Sequence, residues 1–209
     1  MTKLRLLARR LAPGVSLLAV FMIAPATAGA ADPVKIDLCT RKGADAVKAE
    51  WRWHDVTLVP VVGKNQDGSP NKTYNYEPRA MGVDYDDSKW EVIAPETLKN
   101  PRSTGQICFC WYRVKVTLPP EVEGKRVFFQ TVVDDYGEVW VDGKLPYKPG
   151  DTGGPIAAGF NAPNRVELKD AMPGKTYQIA VFGINGPISF TPSNRIFLGP
   201  TFLELVDKQ

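Results

Sequence analysis

The run VVDDYGEVWVDGK, residues 132–144, which follows CWYRVKVTLPPEVEGKRVFF, residues 110–129, decides the fold. Tyr112, Val114, Val116 and Leu118 alternate with Arg113, Lys115 and Thr117, the period of two expected where a strand buries one face and wets the other. Pro119-Pro120 ends that strand, Gly124 sits in the connection, and VFFQTVV at 127–133 begins a second. An acidic loop at Asp134-Asp135 leads to a third, where Val139 and Val141 flank Trp140 and put its indole on the opposite face. Asp142-Gly143 is a tight-turn pair, because both residues accept the positive φ angles of a two-residue hairpin. Strands joined by such short turns predict antiparallel pairing.

Working outward, PGDTGGPIAAGFNAPN at 149–164 is a long Gly/Pro/Asn loop, followed by a short strand over Arg165–Leu168 and a turn at Pro173-Gly174. In YQIAVFG, 177–183, Tyr177, Ile179 and Val181 share a face. IFLGPTFLEL, 196–205, is a strand interrupted at Gly199-Pro200, which predicts a bulge or an edge position. Upstream, VTLVPVV at 56–62 reads as a strand, and Asn65–Pro70 as a turn centred on Asp67-Gly68. Ala44, Val47, Trp51 and His54 have helical spacing and predict a short helix before it. The stretch from Pro70 to Arg102 is polar, aromatic and rich in loop formers. Seven or more short strands separated by turn signals predict an all-β antiparallel sandwich.

The first 30 residues read as a secretory signal peptide. Lys3, Arg5, Arg9 and Arg10 precede an apolar run from Val15 to Ala24, and the small residues Ala26-Thr27-Ala28-Gly29-Ala30 offer cleavage after Ala28 or Ala30. The run falls short of the ~20 residues of a membrane-spanning helix. The expectation is a periplasmic or secreted chain, with 31–209 as a single β-sandwich domain and no membrane partner after cleavage. The formal net charge of +3 drops to about −1 once the four basic residues of the leader are removed. No basic cluster remains, which removes nucleic acid as a partner.

All three cysteines, Cys39, Cys108 and Cys110, fall after the leader, where an oxidising compartment permits disulfides. A bridge from Cys39 to Cys108, or in its place to Cys110, would close a long loop worth about 3–4 kcal/mol and leave one thiol over. The alternative is buried free thiols packed as small hydrophobes.

WRWHD at 51–55, DYDDSKWEVIAP at 84–95, WYRVKVTLP at 111–119, VDDYGEVWVDGK at 133–144 and PGKTYQIAVFG at 173–183 together resemble the N-terminal sugar-binding jelly-roll domain of family 2 glycoside hydrolases, in the galactose-binding-like superfamily. The family usually has Asn where this chain has Asp142. A narrower likeness joins DDYGEVWVDGKLP, GFNAPNRVEL and QIAVFGINGPIS to a module found ahead of gluconolactonase-like propellers. Each resemblance implies a sandwich that accompanies a catalyst.

Asp86-Asp87-Ser88 reads as a turn whose side chains bond nearby backbone and aim Trp90 into the sandwich. Galactose-binding-like domains often hold one structural calcium, which the Asp84/Asp86/Asp87 cluster could serve; no other cofactor is expected. Glycosidases place two carboxylates about 5–10 Å apart across a cleft. In the resembling family that pair belongs to a separate barrel domain, so catalysis is not expected here. His54, the only histidine, adjoins Asp55 without a GxSxG elbow and reads as structural; a histidine-rich zinc site is excluded. Sugars present apolar faces and hydroxyls, so aromatic and acidic residues on adjoining segments are the candidate surface: Asp134, Asp135, Tyr136, Trp140, Tyr147 and Asn161. The expected partners are a carbohydrate or sugar-acid ligand and a separately encoded glycosidase or lactonase. Trp140 has a competing reading as a packed side chain.

Overall fold

A computed structural model describes residues 33–105, 107–149, 153–186 and 194–208, so the expected signal peptide lies outside the described residues. In chain order the elements are β1 (Val34–Asp37), the helix α1 (Arg41–Ala46), β2 (Glu50–Asp55), β3 (Leu58–Lys64), β4 (Pro70–Tyr74), β5 (Glu91–Ile93) and β6 (Arg102–Gly105). They continue with β7 (Cys108–Thr117), β8 (Lys125–Val132), β9 (Tyr136–Val141), β10 (Pro163–Leu168), β11 (Thr176–Asn185), β12 (Asn194–Ile196) and β13 (Phe202–Asp207).

Two sheets carry the fold. One has the order β1-β13-β8-β10 and the other β5-β2-β7-β11-β9, and every pairing in them is antiparallel. The predicted alternation explains how they meet. Val127, Phe129, Leu203 and Val166 of the first sheet share one buried cluster with Tyr112, Val114, Ile179 and Val139 of the second. Each fully buried aliphatic or aromatic chain there contributes about 1.5–3 kcal/mol relative to exposure. The antiparallel β-sandwich expected from the sequence is the observed architecture, with two small two-stranded sheets, the β3-β4 hairpin and the β12-β6 pair, attached.

The turn chemistry falls where the sequence put it. Asp142 and Gly143 both have positive φ, 49° and 73°, and Val141 bridges Lys144 across them. The second arm of this turn is that single bridge, because the neighbour of β9 in the sheet is β11. The chain leaves the sheet after Lys144 and returns at Ile156, which bridges Glu138 and shields the β9 edge. Gly199-Pro200 separates β12 from β13, and those two strands belong to different sheets.

Three expectations are corrected. The helical spacing across Ala44–His54 splits: α1 ends at Ala46, and Trp51 and His54 stand on β2. Trp51 points into the core at 1% exposure and His54 points out, since the spacing of three that suits a helix also puts residues on opposite faces of a strand. Trp90 does not enter the sandwich interior; it joins Val56, Ala80, Trp111 and Ala180 on the outer face of the five-stranded sheet. The cysteines form no bridge. The Cys39 thiol lies 3.5 Å from the Gly199 carbonyl oxygen, the Cys108 thiol donates to the Asn194 carbonyl oxygen, and Cys110 is fully buried with its pKa pushed up to about 12, chiefly by desolvation.

Candidate functional site

The five-stranded sheet faces the core on one side and carries a second, aromatic cluster on the other. Strand register lays the outer face out in rows. One row runs Tyr136, Ile184, Phe109; the next Glu138, Phe182, Trp111, His54; the next Trp140, Ala180, Arg113, Arg52; and the last Gln178, Lys115, Glu50. Alternation along β7, β9 and β11 puts all of these side chains on one face.

The first rows are covered. Tyr74 and Tyr76 meet the Phe109 ring edge-on at 4.7 and 5.2 Å, Phe182 stacks on Phe109 at 5.9 Å, and the Trp111 indole N–H donates to the Tyr76 carbonyl at 2.7 Å. Such aromatic pairs add about 0.5–1.5 kcal/mol beyond their burial. His54 stacks on Trp90 at 5.1 Å, which gives the lone histidine a structural place.

The candidate residues separate into groups. Asp134 and Asp135 occupy the loop between β8 and β9, joined by a cis peptide bond, and Tyr136 follows, 38% exposed. The Asn161 backbone N–H donates to the Asp135 carbonyl at 2.9 Å, so the 159–162 loop closes on this end of the sheet. Asp134, Asp135, Tyr136 and Asn161 are thus brought together. Asp135 is buried, and its carboxyl pKa is pushed up to about 6, first by desolvation and then by the hydrogen bond and charge of Asp134; the Gly186 N–H opposes the shift. A carboxyl that keeps its proton that high offers both a donor and an acceptor.

Trp140 is elsewhere. It stands two rows away, half-buried against the outer aromatic cluster, with its N–H 3.3 Å from a Glu138 carboxylate oxygen. Tyr147 lies beyond the Val141–Lys144 turn and is exposed, so the whole of β9 separates it in sequence from the acidic pair.

The acidic cluster read as a possible calcium site is occupied by protein contacts. Asp86 accepts from the Ser88 N–H at 3.0 Å, the local turn the sequence predicts. Asp87 instead reaches β7, where one of its oxygens lies 2.7 Å from Arg113 Nε, while Arg113 Nη1 donates to the carbonyls of Ala80 and Gly82. Among the described residues no group of three or more histidine, cysteine or acidic side chains is arranged to hold a metal.

Sequence reasoning missed Arg113 and Gln178. Both sit at positions that alternation assigns to solvent, yet they are 1% and 3% exposed. The Asp87 carboxylate, the obvious partner for a buried guanidinium, was the signal available for Arg113; nothing in the sequence marks Gln178.

No protein-family model matches the chain, and no curated protein matches it. Solved structures do. A Bacteroides uniformis β-glucuronidase, a calcium-binding mutant of β-glucuronidase 2 from that organism, and the latter enzyme bound covalently to cyclophellitol-6-carboxylate aziridine superimpose with TM-scores of 0.51, 0.53 and 0.51. Each is 17% identical and covers 84% of this chain but only 18% of its own. The chain therefore has the fold of a segment of those enzymes and spans under a fifth of their length. The resemblance to family 2 glycoside hydrolases holds at the level of the fold.

Proposed function

We propose that this protein is an exported, non-catalytic β-sandwich module that binds carbohydrate or a sugar acid and works beside an enzyme. The observation that carries the reading is the segment-sized likeness: the match covers 84% of this chain and only 18% of the much larger β-glucuronidases. The convergence of Asp134, Asp135, Tyr136 and Asn161 supports the ligand surface, since a carboxyl pair beside an exposed tyrosine matches the hydroxyls and apolar face of a sugar. Calorimetric and glycan-array screening of the natively folded chain is expected to find saturable binding to a saccharide, weakened by Asp134→Ala. Folded protein that binds no saccharide contradicts the reading.

A second reading has its own observation. Tyr136, Tyr147, Ile156 and Phe160 are exposed on and around the β9 edge, at 38 to 61%. Such apolar groups suit a protein interface, and the partner would be a separately encoded glycosidase or lactonase. Co-purification from the native host distinguishes the two, because a stable heteromer without sugar affinity fits only docking.

A further inference from the structure

Beyond the covered aromatic rows, the outer face of the five-stranded sheet holds a recess of about 380 Å³, within the size range of small-ligand pockets. Arg113, Gln178 and Val114 form part of its lining, together with Lys48, Glu50, Arg52, Asp87 and Lys115. Gln178 pairs with Lys115, two residues along β7 from Arg113, so Gln178 and Arg113 are diagonal neighbours within reach of each other's long side chains.

Both of these side chains are held rigidly and both leave one polar atom unused. Arg113 engages Asp87 through Nε and two loop carbonyls through Nη1, while Nη2 has no partner. Gln178 Nε2 donates to the Val114 and Ile179 carbonyls at 3.1 and 3.0 Å, which fixes the amide orientation and leaves Oε1 without a donor. Native interiors rarely leave such groups unmet. A hydroxyl accepts from the first and donates to the second, the same pattern a water molecule would meet.

The charges lining the recess narrow the choice. Arg52 pairs with Glu50 at 2.6 Å and Arg113 with Asp87 at 2.7 Å, whereas Lys48 and Lys115 have no carboxylate partner among the described residues. Two surplus cations beside an unused donor and acceptor match a hydroxylated carboxylate. We infer that this recess binds an acidic sugar unit, with a ring hydroxyl between Arg113 Nη2 and Gln178 Oε1 and the carboxylate toward Lys48 and Lys115. Both buried atoms are shielded from water, so the ligand enters by displacing long side chains around the recess. The inference shares its ligand class with the proposed function but assigns a different site.

The test is titration of the full chain with D-glucuronate, D-glucose and sulfate, followed by calorimetry and by the Gln178 side-chain amide signals in ¹H–¹⁵N spectra. Glucuronate is expected to bind and shift those signals, with glucose at least tenfold weaker and sulfate failing to shift them. The Lys48→Gln/Lys115→Gln double variant, altered only at surface lysines, is expected to lose at least tenfold in glucuronate affinity, while Lys72→Gln, an exposed lysine on β4 outside the recess, retains it. Glucuronate binding lost in Asp134→Ala but kept in the double variant overturns this site and leaves the proposed function standing. Saccharide binding without any shift at Gln178, sulfate shifting the signals as glucuronate does, or no binding at all likewise overturns it.

Discussion

The two halves of one sheet face differ although the same strands build both. Where β7 and β11 carry Phe109, Trp111 and Phe182, the 74–90 segment lies over them and closes a second apolar cluster. Two to four residues farther along, the same strands carry Arg113, Lys115 and Gln178 and border an open recess. A sheet face thus becomes interior or site according to which loop reaches it. Arg113 marks the boundary: its guanidinium holds the covering loop through Ala80, Gly82 and Asp87, and lies 5.3 Å from the Tyr85 ring.

The comparison predicts unequal mutational costs. Trp111→Ala, in the closed half and 4% exposed, is expected to lower unfolding stability most, by about 3–5 kcal/mol in urea denaturation. A loss under ~1 kcal/mol would mean that the aromatic cover is not packed as described. Arg113→Met is next, about 3 kcal/mol, because it removes the nearer cation of Asp87 and the donor of two carbonyls; that carboxylate keeps Arg52 at 3.7 Å and some contact with water, which favours the low end of the range for broken buried pairs. Loosening should concentrate in residues 79–90, read by hydrogen exchange, and uniform loosening of the sandwich would remove Arg113 from the boundary role.

A smaller effect belongs to the far end of the aromatic rows. Asp135 holds its proton more tightly folded, at a pKa near about 6, than in the unfolded chain, where aspartate titrates near ~3.9. Its stabilising contribution is complete below about pH 4 and is lost as pH rises through about 6. The difference in melting temperature between the native chain and Asp135→Asn should therefore change across that window and be flat above it. A difference independent of pH would contradict the buried, proton-holding carboxyl. The least costly change is Lys115→Gln in the open half, within about 0.5 kcal/mol by the same denaturation assay. A larger loss would show that the recess is structural.

The sequence made the sandwich legible because its central strands obey the period of two and its turns carry Asp-Gly and Pro-Gly pairs where positive φ is needed, as at Gly143 and Gly174. It did not reveal β2, since Trp51 and His54 fit helical spacing as well as opposite faces of a strand. It placed Trp90 in the wrong layer because alternation on β7 identifies an outer face without saying that a loop more than twenty residues upstream covers it. The disulfide expectation rested on compartment chemistry, and the thiols instead lie against carbonyls or inside the core. Of the candidate ligand residues, four adjoin through the contact of Asn161 with Asp135; Trp140 and Tyr147 do not join them, because strand spacing carries each away from that loop.

Calorimetric titration of the folded full chain with D-glucuronate is the most direct measurement. The account predicts saturable binding that weakens at least tenfold when Lys48 and Lys115 both become Gln, and a flat titration with a natively folded chain would contradict it.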